Sequence, residues 1–399
     1  MDDVCIIGLG YIGLPTAIVT AKAGLKVSGF DINPDVVSTI KRQTIKLSEP
    51  GLLDELKNQL NSGNLKVSNA LTAANIFVLC VPTPIKFEGK RGNPDLSFVY
   101  SAVKDIANFL KEGDLIIVES TCPVGTTDNI YKLLTTMRPD LVNIYVAYCP
   151  ERILPGNALY ELAKNSRIIG GASPKSAIMA RDFYQKFVEG SIEISDAKTA
   201  EMCKIVENSF RDVNIAFANE ISMVAHELDI NINELIYLAN KHPRVSILKP
   251  GVGVGGHCLP IDPWFLIDKC ITPTEIMKTA RDVNKRKTEW TAIQIEKLID
   301  NFENDEGRSP RVAMLGVTYK PDTEDIRESS SFEIISILNE RRSNIFIVDP
   351  YIKILKQFET LTLKNALETC DIFVMLVAHK QFILEDELKL KGKNFHSFT

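Results

Sequence analysis

Along the chain, short apolar runs alternate with segments of helical period, and clusters of glycine or proline punctuate the joins. VCII at residues 4–7 predicts a buried strand, residues 14–23 a helix that stops at Gly24, and KVSGF at 26–30 a second strand ending on Asp31. NIFVLCV at 75–81, DLIIVES at 114–120, YVAY at 145–148 and RIIGG at 167–171 predict further strands, the last before a helix over 174–187. Continuous apolar strands spaced by helices are the pattern of a parallel sheet covered on both faces. From Asp196, a reasonable N-cap, to His226 there is neither Gly nor Pro. Met202, Ile205, Val206, Phe210, Val213, Phe217, Ile221 and Val224 recur there at helical spacing, which predicts one long helix joining two domains and offering a surface for dimerisation. Another helix is expected over 231–240. After the polar stretch 301–309 the alternation restarts, with a strand at 311–317, a helix at 332–338 and a strand at 344–349 ending on Asp349. A strand at 370–378 then echoes the one at 74–81. The fold class is α/β, two Rossmann-like doubly wound domains joined by a long central helix, with domains at 1–195, 196–300 and 301–399.

Composition changes this picture little. The 399 residues, 45% hydrophobic and 24% charged, suit a soluble globular chain of two or three domains. A net charge of −5 gives no sign of a nucleic-acid or membrane partner. No apolar run has the length of a membrane span, and the opening MDD lacks the basic region of a signal peptide, so a cytoplasmic protein is expected. Eight Cys without a C-x-x-C pair suggest neither a disulfide framework nor a thiolate metal site, and the five scattered His offer no ligand cluster, so no metal is expected. Cys5 and Cys80 fall inside strands and read as small core residues.

The candidate chemistry begins at GLGYIG, residues 8–13. A lone G-x-G-x-x-G is weak, but strand, glycines, helix, strand and acid in this order form a dinucleotide fingerprint. Gly8 permits the turn, Gly10 lets a pyrophosphate reach the helix N-terminus, and Gly13 lets helix and strand pack closely. Asp31, 23 residues after Gly8, would accept from ribose hydroxyls and repel a 2′-phosphate, which favours NAD over NADP. Thr83 and Thr121 follow strands and serve either as turn caps or as hydroxyl donors to the cofactor. Four glycines and three prolines in the sixteen residues 250–265 enclose Cys258 and Asp262. That stretch is either a tight connector with a buried thiol or a loop whose glycines let a substrate approach the sulfur. Glu201, Lys204, Asn208 and Asp212 share one face of the long helix, as a solvated stripe or as a polar floor beneath a substrate. His242 reads as structural. The second half has only Gly316 where the first has three glycines, a poor dinucleotide site, but it inserts TYKPDTEDIRE at 318–328. Lys320 and Arg327 there could bind the phosphates of a smaller nucleotide, although four carboxylates accompany them.

Six runs carry a resemblance. GLGYIGLP at 8–15, STCPVGTT at 120–127, PERILPG at 150–156, E-x-x-K-x-x-x-N at 201–208, GGHCLPIDP at 255–263 and YKPDTEDIRES at 319–329 resemble the UDP-glucose/GDP-mannose dehydrogenases, in order and over essentially the whole chain. The resemblance implies a four-electron oxidation of a UDP-sugar at C6 by two NAD⁺, with 1–195 binding NAD, 196–300 carrying the Cys loop and dimer surface, and 301–399 binding the UDP-sugar. Residues 240–258 with DPWF at 262–265 are most similar to members acting on UDP-N-acetyl-D-mannosamine. Pro260 is more similar to members acting on UDP-N-acetylglucosamine or UDP-glucose, which stand as the alternative.

The same resemblance implies roles for individual residues. Cys258 would form a thiohemiacetal and then a thioester. Lys204 would stabilise the alkoxide and the thiolate, Asp262 and Asn208 would handle protons and the oxyanion, and Glu151 would act as base for hydrolysis. The cofactor would be held by Gly8, Gly10, Tyr11, Ile12, Gly13, Asp31, Thr83, Thr121 and Arg327. The substrate would meet Glu151, Arg152, Lys204, Asn208, Gly255, Lys320 and Arg244, the last reaching a neighbouring subunit's nucleotide in a homodimer or dimer of dimers. A two-electron hydroxyacid dehydrogenase and a catalytically silent nucleotide-sugar sensor are the readings from other classes. The set Cys258, Lys204, Asn208 and Asp262 argues against both.

Overall fold

The computed structural model describes residues 3–45, 49–88, 91–153, 156–267, 270–342, 344–383 and 392–399; Leu154 and Pro155 of the PERILPG run lie outside them. The chain forms two compact units, Met1–Glu207 with Trp264–Lys269 and Asn208–Pro263 with Cys270–Thr399. The division falls inside the 31-residue helix Ala197–Glu227.

In the first unit the strands are β1 (Asp3–Ile7), β2 (Lys26–Phe30), β3 (Leu65–Ser68), β4 (Ile76–Leu79), β5 (Ile85–Glu88), β6 (Arg91–Pro94), β7 (Leu115–Val118), β8 (Tyr145–Tyr148), β9 (Arg167–Gly171) and β10 (Ile192–Asp196). Eight of them make one sheet in the order β10-β9-β8-β7-β4-β1-β2-β3. Val4 of the central β1 stands opposite Val27 on one side and Ile76 on the other, both parallel. All other pairings in this sheet are parallel except β8 with β9, where Ala147 opposes Gly171. The two-residue period of the strands sorts their side chains into two cores. Val4, Ile6, Val78 and Ile117 pack with the helix Gly13–Lys22 on one face, while Cys5, Ile7, Phe77, Leu79 and Ile116 pack with the helix Ser97–Ala107 on the other. Burial on both faces is why these strands read as unbroken apolar runs.

Several elements of this unit went unread in the sequence, among them β3, β10 and the pair β5 and β6. β5 and β6 pair as an antiparallel hairpin through residues that carry turn-like Pro and Gly. β10 extends the sheet edge and ends on Asp196, which also caps the long helix as expected: its carboxylate accepts the Thr199 N–H at 3.0 Å and the Thr199 hydroxyl at 2.6 Å.

In the second unit the helix Ile232–Ala239 is capped by the Asn231 side chain, which accepts the N–H groups of Asn233 and Glu234. Residues 250–263 form turns and irregular backbone. The 32-residue helix Glu275–Glu306 follows and runs on through what reads in the sequence as the start of a polar linker. β11 (Val312–Leu315), β12 (Ile345–Val348), β13 (Ile372–Met375) and β14 (Asn394–Ser397) then build a parallel sheet in the order β12-β11-β13-β14. Val312, Met314, Ile347 and Val374 face Ile295, Ile299 and the helix Ser330–Arg341, and Ala313, Leu315, Phe346 and Phe373 face the opposite side. The expected repeat of the βαβ logic is present. Gly316 turns with φ +87° where Gly8 has φ +89°, and its N–H donates to the Val348 carbonyl at 2.9 Å as that of Gly8 does to Phe30 at 2.8 Å. Among the described residues no helix is long and apolar enough to cross a membrane.

Candidate active site

The glycine turn of the first unit fits a dinucleotide. A Cβ on Gly13 would sit 1.8 Å from the Gly8 carbonyl oxygen, and one on Gly8 would sit 2.7 Å from the Cys80 carbonyl, so both positions need glycine for the fold. At Gly10 the same test finds nothing within 4 Å. That glycine borders open space, which is where a pyrophosphate would lie against the N-terminus of the helix Gly13–Lys22. Asp31, at the end of β2, accepts the Leu9 N–H at 2.9 Å and the Asn33 N–H at 2.9 Å. Its half-buried carboxylate is thereby locked beside the turn. Thr83 and Thr121 follow β4 and β7, and the Ser120 hydroxyl clamps these strand ends by donating to the Val81 carbonyl at 2.7 Å. Ile12 directly precedes the helix, and the Tyr11 hydroxyl donates to Glu49.

Glu49, which the sequence analysis does not single out, joins this turn to another segment. Buried, it also accepts the N–H groups of Gly156 at 2.6 Å and Ala158 at 2.8 Å, and so ties the glycine turn to the end of the PERILPG run. Glu119 was not singled out either. It takes the Thr16 hydroxyl and the Cys80 thiol, each at 3.2 Å, on one oxygen and the Tyr184 hydroxyl at 2.6 Å on the other. Burial raises its carboxyl, against the pull of the nearby Arg167 guanidinium. A charged residue closing the apolar run DLIIVES was the one signal available for it.

Glu151 and Arg152 part company in the structure. Glu151 is buried, receiving Arg167 at 2.8 Å on one oxygen and the Arg152 N–H at 2.7 Å on the other. The Arg152 guanidinium pairs with Glu207 at 2.8 Å and reaches the Ser166 carbonyl at 3.3 Å. The polar face of the long helix is no solvated stripe. Glu201 is fully buried and caps the helix Thr126–Met137 from outside, accepting Gly125 N–H at 2.5 Å, Thr127 N–H at 2.7 Å and the Thr127 hydroxyl at 2.6 Å. Asp212 is also fully buried, paired with Arg281 at 2.7 Å. Lys204 and Asn208 lie half-buried between these anchors, one helical turn apart.

In the second unit the loop around Cys258 is assembled by its glycines. A Cβ at Gly253 would meet the Thr288 hydroxyl at 2.3 Å, one at Gly255 the Glu328 carbonyl at 2.5 Å, and one at Gly256 the Tyr319 ring at 2.8 Å. These glycines therefore let the loop lie flat on the segment 319–330, a packing reason that the sequence reading, which offered a tight connector or substrate approach, did not contain. The Gly256 N–H donates to the Arg327 carbonyl at 3.2 Å. The Asp262 N–H donates back to the Cys258 carbonyl at 2.8 Å, so the two residues stand one helical turn apart along the backbone. Asp262 is buried and receives the Asn208 amide, which joins three of the expected site residues in one arrangement. Arg327 is held by Asp325 at 2.6 Å and approaches His257 at 3.4 Å, within electrostatic reach of Cys258. Burial, then the charges of Asp325 and Cys258, push the Tyr319 hydroxyl up to about 12. Lys320 sits over the Tyr319 ring at 5.8 Å. Arg244 is exposed beyond the helix Ile232–Ala239.

The half-buried Cys258 contrasts with the core thiols. Burial pushes Cys149 up to about 12 and raises Cys80 and Cys122 well above the ordinary thiol range.

A glycine turn followed by an acid at the end of β2 is the arrangement of a dinucleotide site. Comparison with known proteins gives the family. The chain matches the UDP-glucose/GDP-mannose dehydrogenase family in its NAD binding domain over residues 2–188, its central domain over 198–286 and its UDP binding domain over 313–394. It is 45% identical to a UDP-N-acetyl-D-mannosamine dehydrogenase of Campylobacter jejuni, over 96% of each chain. It is 42% identical to an NDP-N-acetyl-D-galactosaminuronic acid dehydrogenase of Ralstonia nicotianae, over 98% of this chain and 94% of the relative. A solved UDP-D-ManNAc dehydrogenase from Pyrococcus horikoshii superposes with a TM-score of 0.91 at 36% identity, covering 99% of both chains. The chain belongs to the UDP-glucose/GDP-mannose dehydrogenase family, as an NAD-dependent oxidoreductase acting on a UDP-sugar.

Proposed function

We propose that the chain oxidises UDP-N-acetyl-D-mannosamine at C6 to UDP-N-acetyl-D-mannosaminuronate, taking four electrons in two hydride steps through a covalent bond to Cys258. The observation that carries this reading is the Asn208–Asp262–Cys258 arrangement, in which half-buried Cys258 stands one backbone turn from buried, amide-bound Asp262. NAD⁺, when bound, accepts each hydride. Removal of the first pair of electrons turns the C6 alcohol into an aldehyde. The Cys258 thiolate adds to it, giving a thiohemiacetal that keeps the aldehyde on the enzyme while the cofactor is replaced. Loss of the second hydride leaves a thioester, and water cleaves it to the carboxylate and the free thiol.

The chain's own residues supply the remaining chemistry. Asp262, through an ordered water, moves the proton of the reacting oxygen, and the Asn208 amide donates a hydrogen bond to that oxygen. Lys204 adds positive charge toward the developing oxyanion and favours the thiolate. Glu151 acts as the base in hydrolysis; Arg167 and the Arg152 N–H fix the orientation of its carboxyl. Lys320 and Arg152 bind the nucleotide sugar, and Arg327 meets the cofactor phosphates. An apolar stripe on the long helix supports a homodimer completed by Arg244: Phe210 is 66% exposed, Phe217 49% and Val224 46%.

The names of the Campylobacter and Pyrococcus relatives support the mannosamine sugar, while the Ralstonia name makes a galactosamine-derived sugar the second reading. Rates of NADH formation with UDP-N-acetylmannosamine, UDP-N-acetylgalactosamine, UDP-N-acetylglucosamine and UDP-glucose in parallel decide between them. A kcat/KM for the mannosamine sugar at least about tenfold above the rest is expected, and a preference for any other overturns the assignment.

A further inference from the structure

A loop built on four glycines has little side-chain material with which to hold itself in place, and glycine has the most backbone freedom to lose. Bonds to its main chain therefore contribute to the order of the Cys258 loop. Its entry is held by two side chains from the long helices. The Gly251 N–H donates to Asn219 Oδ1 at 2.9 Å, and the Thr288 hydroxyl donates to the Val252 carbonyl at 3.1 Å.

Asn219 is fully buried, and its amide has one possible orientation. While Oδ1 accepts from Gly251, Nδ2 donates to Asn284 Oδ1 at 2.9 Å. A flipped amide would set donor against donor at Gly251 and acceptor against acceptor at Asn284. Asn284, also buried, is fixed in turn because its Nδ2 donates to Asp212 Oδ1 at 2.8 Å, the oxygen that receives Arg281 at 2.7 Å. The result is a directed chain that starts at the Asp212–Arg281 ion pair and ends on the peptide group seven residues before the thiol.

We propose that Asn219 is a positioning residue for the oxidation, holding Gly251 and through it the placement of Cys258. The inference rests on the reading of Cys258 as nucleophile. A small displacement of a reacting group can cost about 10²-fold in rate, and Asn219 acts on that displacement and leaves substrate binding alone. The Asn219→Asp variant gives a specific signature. When protonated, its new carboxyl has the shape of the amide, accepting from Gly251 and donating to Asn284, whereas the ionised form cannot donate. Burial raises the carboxyl of such a variant, so its activity relative to wild type rises as pH falls.

The test uses the full chain and four variants: Asn219→Leu, Asn219→Asp, Cys258→Ser and, as a control, Thr291→Val. The Thr291 hydroxyl is buried in the helix Glu275–Glu306 and donates to the Lys287 carbonyl of its own helix. Asn219→Leu is expected to lower kcat at least about tenfold with KM for the nucleotide sugar within about threefold, and to speed hydrogen exchange at Gly251. Asn219→Asp is expected to approach wild-type kcat at the acid end of the profile and fall away as pH rises, and it carries the test if the Leu variant does not fold. Thr291→Val is expected to leave all three readouts unchanged. Wild-type kcat in a folded Leu variant, a flat Asp-to-wild-type ratio across pH, or an equal loss in Thr291→Val overturns the positioning role. Full turnover in Cys258→Ser is a separate failure, that of the thiol reading.

Discussion

His379 Nε2 lies 3.1 Å from Asp349 Oδ2, and both side chains are fully buried. Asp349 closes β12 as Asp31 closes β2: the Val317 N–H reaches it at 2.8 Å, as the Leu9 N–H reaches Asp31 at 2.9 Å. The two acids have different company. Asp31 is half-buried beside an open glycine turn, whereas Asp349 is sealed by His379 and by the N–H groups of Tyr351 and Ile352. His379 Nδ1 accepts the Asp322 N–H at 3.0 Å, so its proton sits on Nε2 toward Asp349. The pair thus holds the turn 318–322, in which the Thr318 hydroxyl also donates to the Lys320 carbonyl at 2.9 Å.

Replacing His379 with Phe strands a buried carboxylate. A loss of about 3–5 kcal/mol in stability is expected by denaturant unfolding, with KM for the nucleotide sugar raised in whatever fraction folds. Burial alone would raise the Asp349 carboxyl, but the bond from His379 and the N–H groups of Val317 and Tyr351 outweigh it and hold it below the ordinary carboxylate range. Its contribution is therefore present above the unfolded value near about 4 and is lost as pH falls through the folded value. Asp349→Asn is expected to flatten the acid limb of the stability profile.

Lys287 gives the opposite sign. Burial pulls its ammonium down to about 8, and Nζ rests on the Ser222 hydroxyl at 2.8 Å and over the Trp290 ring at 4.1 Å. With the unfolded value near about 10.4, the fold carries a charging penalty below pH 8 that is relieved as pH rises between the two values. Lys287→Met is expected to stabilise the protein at neutral pH by roughly 2 kcal/mol, with the gain vanishing above about pH 10.5. Thermal unfolding across pH checks this, and a destabilised variant at neutral pH would be the contrary result.

Glu201 satisfies three donors at a helix N-terminus that its own segment leaves uncapped. Glu201→Gln keeps one acceptor oxygen and sets an amide against the remaining N–H. A cost of about 1–2 kcal/mol in stability and weaker NAD binding are expected, because the same turn carries Thr121.

The glycine turn supplies a paired test. Gly13→Ala collides with the Gly8 carbonyl and is expected to disrupt the fold, whereas Gly10→Ala meets no atom within 4 Å and is expected to fold normally. An increase of at least about tenfold in KM for NAD⁺ in the Gly10 variant would mark the pyrophosphate position. Unchanged NAD kinetics would place the cofactor elsewhere.

What was legible in the sequence were features that local chemistry repeats. The strands β1, β4, β7 and β8 are apolar on both faces, and the long helix lacks any breaker, so each announces itself without its neighbours. The helix Glu275–Glu306 did not, because its buried side includes Asn284, Lys287, Thr288 and Thr291 and hides the hydrophobic period. Glu49, Glu119 and Asn219 were not picked out either: each side chain takes its hydrogen bonds from partners 32 to 109 residues away. The loop glycines were read either as a tight connector or as room for a substrate, and the atoms that exclude a Cβ there belong to Thr288, Tyr319 and Glu328. Residues that act through distant packing leave no spacing to read.

The most direct measurement is the yield of NADH from limiting UDP-N-acetylmannosamine, with wild type and Cys258→Ser side by side. Two NADH per sugar in the wild type, with no complete turnover once the thiol is gone, is the predicted result. One NADH per sugar would contradict the four-electron reading and leave a two-electron NAD-linked dehydrogenase, and undiminished four-electron turnover without Cys258 would contradict the covalent mechanism.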